Sequence, residues 1–265
     1  SADTIATALE SLDGAPDTIV RLGEGATREN ILDAIESLGS TLLPSSDSSF
    51  VLVLVGHGSA NRDTWRFNVT GPDLSTEDLV ASLNVLPSSK QLLVLAASAS
   101  GAALDTLSQP GRVVVTATKS GGEINAVRFP EYLAEAMSSS IADYDRNEIL
   151  TIAEAYRYAE SRTREYYEQQ KLLASEHARF RGNDSGDVAI ALLGSLKQAK
   201  DDPVVTALLE ERLVLENEFR QLTARKTELS TVEFYEQLET LLISIATLQQ
   251  SIDEATGWSD PDADS

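Results

Sequence analysis

Apolar residues fall along this chain in two rhythms. Phe50-Val51-Leu52-Val53-Leu54-Val55 is an unbroken apolar run between serines and Gly56, and Gln91–Ala97 and Arg112–Ala117 read the same way. Runs of this kind predict strands buried on both faces, the signature of a parallel sheet. A fourth core strand is expected at Asp187–Leu193 and a short one at Thr18–Leu22. Between them the spacing turns helical. Ile5, Leu9 and Leu12 precede Gly14, and Ile31, Ala34, Ile35 and Leu38 follow a capping Thr27. Further helices are predicted over Thr76–Leu83, Asn125–Met137 and Leu150–Ala174. Strands that alternate with helices imply right-handed crossovers, hence an α/β fold with a doubly wound, mostly parallel sheet flanked by helices.

Beyond residue 200 the texture changes. Val205, Leu208, Leu209, Leu213, Phe219 and Leu222 share one helical stripe. After a break at Leu229-Ser230 a second stripe runs through Phe234, Leu238, Leu241, Leu242, Ile245, Leu248 and Ile252. The pattern predicts a C-terminal helical hairpin over 200–255, set apart from an α/β domain over 1–198 and a disordered acidic tail over 256–265. The hairpin offers a surface for a partner or for self-association.

Composition narrows the function. The 265 residues carry 21 Lys+Arg against 42 Asp+Glu, a formal charge of −21. So acidic a surface repels phosphate backbones, and no nucleic-acid partner is expected. Cysteine is absent, which excludes disulfides, thiolate metal sites and a thiol nucleophile. His57 and His177 are the only histidines, too few for an all-histidine zinc site. No apolar run approaches the roughly 20 residues that span a bilayer. Ser1-Ala2-Asp3 lacks a signal pattern, and the compartment stays open.

Open parallel sheets gather their sites at the carboxyl ends of strands. Three loops should converge there: Gly56-His57-Gly58-Ser59, Ser98-Ala99-Ser100-Gly101, and Thr118-Lys119-Ser120-Gly121-Gly122-Glu123. A strand ending in Gly-His-Gly, followed 41 residues after its histidine by a strand ending in Ala97-Ser98-Ala99-Ser100-Gly101, resembles the caspase-like peptidases (legumain, gingipain, metacaspase and caspase types). The resemblance covers about residues 1–195. It implies a caspase-like fold that cleaves a peptide or protein substrate through a dyad, with no cofactor required for the chemistry. His57 would be the general base and Ser98 the nucleophile, with the Gly58 amide holding the oxyanion. Lys119, Glu123 and Arg128 border the implied substrate pocket, where a solvated loop is the plainer alternative.

Ser98 stands where the family has cysteine. An alcohol needs a well-oriented base to lose its proton, whereas a thiol ionises readily. Three explanations follow: an engineered inactivation, a natural serine nucleophile, or an inactive interaction module that keeps the fold. An α/β-hydrolase reading fails because no Gly-x-Ser-x-Gly elbow surrounds Ser98. The family sheet also begins with a strand ahead of the first helix. Here the first predicted element is that helix: the chain is truncated, or Ser1 is a terminus made by cleavage, or the missing strand arrives from another chain, and a fragment of a longer protein is the favoured expectation.

A second motif is Asp143-Tyr144-Asp145-Arg146-Asn147-Glu148-Ile149-Leu150-Thr151-Ile152-Ala153-Glu154. Counting Asp143 as the first position, oxygen-bearing side chains fall at the third, fifth, ninth and twelfth, with Ile149 at the backbone-ligand position. This is EF-hand spacing, and it offers Asp143, Asp145, Asn147, Ile149, Thr151 and Glu154 as calcium ligands. Glu148 replaces the glycine expected at the sixth position; the competing reading is an acidic loop that caps the next helix. His177 and the turn Asn183–Asp187 read as surface or loop features, and the Asn68-Val69-Thr70 sequon as chance.

Overall fold

In the computed structural model, three of the apolar runs become adjacent parallel strands. The structure describes residues 2–10, 19–42, 49–61, 64–88, 90–182, 188–199 and 201–258. Helices α1 (Ala2–Glu10) and α2 (Arg28–Thr41) precede β1 (Ser49–Gly56). Then come β2 (Gly58–Asn61), β3 (Thr64–Phe67), β4 (Leu74–Ser75), α3 (Thr76–Asn84) and β5 (Lys90–Ala97). A 3-10 turn (Ser100–Ala103) leads into α4 (Leu104–Leu107), β6 (Arg112–Thr116), α5 (Phe129–Met137), β7 (Ile149–Thr151) and α6 (Ile152–Gln169). The chain continues through β8 (Arg179–Arg181), β9 (Ala189–Leu192), α7 (Gly194–Gln198), α8 (Pro203–Ala224) and α9 (Thr231–Thr256). It divides into two compact units, Ser1–Tyr144 with Leu150–Ala191, and Asp145–Ile149 with Leu192–Ser265.

The first unit is built on the sheet β1-β5-β6-β8, parallel except for the antiparallel β8. β5 and β6 are buried on both faces, as unbroken apolar sequence requires. On one face Ile31 and Ile35 of α2, Leu79 and Leu83 of α3 and Leu107 of α4 pack with Phe50, Leu54, Leu93 and Leu95. Near β8, the ring of Tyr156 from α6 lies 6.2 Å from Phe129 and 5.4 Å from Phe180.

Two expected strands differ. Ala189–Leu192 pairs with β7 in a separate two-stranded sheet, and β8 takes the fourth place in the central one. The stacking of Phe180 on Tyr156 anchors β8 there, and that contact is invisible in strand propensity. Thr18 lies outside the described residues, and Ile19–Leu22 is not a strand. Val20 and Leu22 are exposed, and Arg21 pairs with Asp3 at 2.9 Å. The Asn183–Asp187 turn and the tail from Ser259 also fall outside the described residues. No described helix is long and apolar enough to cross a membrane.

The second unit is dominated by the hairpin. Ser230 caps α9 with a capping box, which accounts for the break in the apolar stripe. Val205 of α8 packs with Leu248 and Ile252 of α9 and with Leu196 of α7. Val232, Tyr235, Leu242 and Ile243 face outward. A charge sits in the seam: the Arg212 side chain is 8% exposed, bonds Glu216 at 2.7 Å and also meets Gln249. A buried polar group of this kind sets register at a cost in stability. Arg212→Met is therefore expected to leave thermal stability unchanged or to raise it by about 1–4 kcal/mol. A lowered melting temperature would show the ion pair to be net stabilising.

Candidate functional site

Gly56 and Ala97 are register partners at the ends of β1 and β5, so His57 and Ser98 leave neighbouring parallel strands side by side. Their side chains do not hydrogen-bond to one another. Ser98 is 2% exposed, and its hydroxyl donates to the Gly58 carbonyl and accepts from the Gly58 amide, both at 3.1 Å. The Ser98 carbonyl accepts the Trp65 indole N–H at 3.0 Å. His57 is exposed. Its carbonyl accepts from the Asn68 amide at 3.0 Å, and among the described residues its imidazole makes no hydrogen bond. The two residues proposed as a dyad therefore share a location, while the serine bonds to the glycine beside the histidine.

Gly58 is locked in this arrangement. A Cβ there would lie 2.3 Å from Trp65 Nε1 and 2.6 Å from the Ser98 carbonyl oxygen. The segment expected as a loop is in fact the start of β2, paired with β3 from Gly58↔Phe67 to Asn61↔Thr64. The alternation in Thr64-Trp65-Arg66-Phe67, with Trp65 and Phe67 buried, is the sequence signal for it. Ser98→Ala strips the buried Gly58 amide and carbonyl of their shared partner. The expected loss is about 1–3 kcal/mol in chemical denaturation, because unmet buried polar groups keep their full desolvation cost. An unchanged midpoint would show the hydroxyl to be dispensable.

The chain turns sharply after Ser98. Ala99 has φ 57°, in the left-handed region, and is fully buried; its amide donates to the Glu123 carbonyl at 2.7 Å. Ser100 accepts from the Ala117 amide at 3.1 Å, and the Gly101 amide donates to Thr118 Oγ1 at 2.9 Å. These bonds bring together the two loops after β5 and β6, as the sheet topology predicted.

The residues expected to border a substrate pocket are tied to one another. The Glu123 carboxylate accepts from the Lys119 amide at 2.8 Å and the His177 amide at 3.0 Å. It also lies 3.5 Å from Lys119 Nζ and 2.5 Å from His177 Nδ1. Arg128 stacks over the Tyr166 ring at 4.6 Å and reaches Glu131. An open depression of ≈ 420 Å³ lies beside them, lined by Gly101, Ala102, Asp105, Lys119, Ser120 and Gly121 among others; neither Ser98 nor His57 lines it.

Glu176 went unnoticed in the sequence. Its buried carboxylate receives the Arg128 and Phe129 amides that open α5 and the Tyr167 hydroxyl, at 2.8 to 3.1 Å. A helix capped by a residue 47 positions away leaves no local signature. Burial pushes this carboxyl above the ordinary glutamate range, against the opposing pull of the two amides. A raised carboxyl favours the fold when protonated, so its contribution is present at low pH and lost as pH rises through the folded value. Glu176→Gln can keep the amide bonds and donate to Tyr167. It is expected to be more stable than the parent at neutral pH, with the gap closing below pH 4.5, the ordinary glutamate value. Denaturation at both pH values reads the difference, and a gap of constant size would contradict the assignment.

The acidic loop divides between the two units. In the first, Glu154 caps α6 through Thr151 and accepts from the Tyr144 amide at 3.0 Å; Asp143 also belongs to this unit. In the second, Asn147 binds Asp145 at 2.7 Å and accepts from the Ile149 amide at 2.6 Å. Glu148 takes φ 59° in place of the expected glycine, and its carboxylate receives the Ser195 and Leu196 amides.

Comparison with known proteins adds no family. No protein-family model matches the chain, and no curated protein does so either.

Proposed function

We propose that this chain is a caspase-like module that keeps the outline of a peptidase site without its chemistry, and that it binds a peptide segment without cleaving it. The observation that carries this is the Ser98 hydroxyl, buried and held from both sides by the Gly58 backbone, while His57 is exposed and its imidazole makes no hydrogen bond to Ser98. An alcohol becomes a nucleophile only when a base within hydrogen-bond reach removes its proton. Here the hydroxyl donates to a backbone carbonyl, which is no base. The open depression between the loops after β5 and β6 supports the binding half, since it sits where open sheets present ligands.

Hydrolysis through His57 and Ser98 is the second reading, and two observations favour it. Ser98 stands at the carboxyl end of β5 just before the left-handed turn at Ala99, and the Gly58 amide beside it is a backbone donor that a substrate carbonyl could take over from Ser98 Oγ. A peptide library presented to the parent, Ser98→Cys and His57→Ala forms separates the two. The module reading expects no cleavage from any of them. It also expects library peptides to be retained by immobilised protein and released when Gly121→Tyr fills the depression. Cleavage by the serine or cysteine form that disappears with His57→Ala overturns it.

A further inference from the structure

Two adjacent residues of one segment hold the loop after β6 at both its ends. Lys119, Ser120, Gly121 and Gly122 of that loop line the depression, Glu123 follows them, and Arg128 and Phe129 finish the loop by opening α5. Ser175–His177 belongs to a stretch without regular structure between α6 and β8. Its Glu176 carboxylate takes the Arg128 and Phe129 amides. Its His177 takes the Glu123 carboxylate, through the backbone amide at 3.0 Å and Nδ1 at 2.5 Å. The Glu123 carbonyl in turn accepts the Ala99 amide, so the same residue reaches the turn after Ser98.

Charge sets the His177 contact apart. The Glu123 side chain is 11% exposed, so little water shares its charge. Glu176 brings a second carboxylate to the junction; burial first, and then the Glu123 charge, push its carboxyl upward. Lys119 Nζ stands 3.5 Å from Glu123, and Arg179 is exposed on β8 two residues beyond His177. The Arg128 guanidinium turns instead to Tyr166 and Glu131. From α6 come Tyr156, bonded to the Ala178 carbonyl, and Tyr167, bonded to Glu176; burial pushes both phenols up, so they stay neutral. An imidazole changes charge between about pH 5 and pH 8. When charged it donates to a carboxylate about twice as strongly as a neutral donor does.

We infer that His177 is a proton-operated clasp on the loop that walls the depression. Its imidazolium binds the Glu123 carboxylate to the Ser175–His177 strap, and loss of the proton loosens that end of the loop. Glu176 keeps the other end fixed, so the release is confined to Lys119–Glu123 and the wall they form. The clasp contributes most in mildly acidic conditions and fades as pH rises through the imidazole range, the sign expected where a carboxylate favours the protonated ring. Its bearing on ligand binding rests on the peptide proposed for the depression.

The Lys119 and His177 amides both donate to Glu123, so their hydrogen exchange in the whole chain reads the clasp without any ligand. Corrected for intrinsic rates, their protection is expected to be about tenfold greater near pH 5.5 than near pH 8. His177→Asn places a non-titrating amide where Nδ1 lies and should show equal protection at both pH values. Glu176→Gln should keep the parent's response. A parent without the pH step overturns the proposal. So does a step that survives His177→Asn or disappears in Glu176→Gln, because a carboxylate would then be the titrating group. Library peptides should also be retained more strongly by the immobilised parent near pH 5.5, and equally at both pH values by His177→Asn. Retention at neither pH, with the exchange step intact, overturns the peptide reading and upholds the clasp.

Discussion

Gly101→Ala is expected to cost about 3 kcal/mol or more, the upper end of what overpacking a rigid site produces. A Cβ at this position would lie 2.3 Å from the Lys119 carbonyl carbon, 2.3 Å from the Ser120 nitrogen and 2.5 Å from the Thr118 carbonyl oxygen. All three atoms are backbone, so no side chain can swing aside. The loop after β6 would have to retreat and give up the Gly101–Thr118 bond as it did so. Urea denaturation reads the loss directly. A change under about 1 kcal/mol would mean that the two loops are not held together as described.

Trp65→Ala should be equally damaging, at about 3–5 kcal/mol, the usual range for removing a buried tryptophan. Trp65 is fully buried, its ring centre lies 6.0 Å from that of Phe67, and its indole donates to the Ser98 carbonyl. Its removal opens a cavity and leaves that carbonyl unmet in the same stroke. Trp65→Phe divides the effect, because it keeps most of the volume and loses only the hydrogen bond. The alanine form should melt well below the phenylalanine form, and equal melting temperatures would show that cavity formation contributes little.

These two positions also mark how far the sequence could be read. The buried strands Phe50–Val55, Gln91–Ala97 and Arg112–Thr116 announce themselves, because burial on both faces demands unbroken apolar residues. From their parallel order, the convergence of the loops after β1, β5 and β6 follows. The hairpin is equally plain in its spacing and in the Ser230 capping box. The details within the site were not legible. Whether Ser98 turns to His57 or to Gly58 depends on a rotamer and on one neighbouring backbone, and composition carries no record of either. The Glu123–His177 contact joins residues 54 apart, and Glu176 caps a helix from a distant loop. Such pairings exist only once the chain has folded, so residue spacing could name Glu123 without naming its partner.

A silent site requires that Ser98 stay in its bonds to Gly58. Intact-mass analysis after incubation with a fluorophosphonate measures this directly, since the reagent adds covalently to a hydroxyl only where a base activates it. The parent chain is predicted to keep its unmodified mass, identical to that of Ser98→Ala treated in parallel. A single adduct on Ser98 that vanishes in His57→Ala would contradict the account and establish the hydroxyl as a nucleophile.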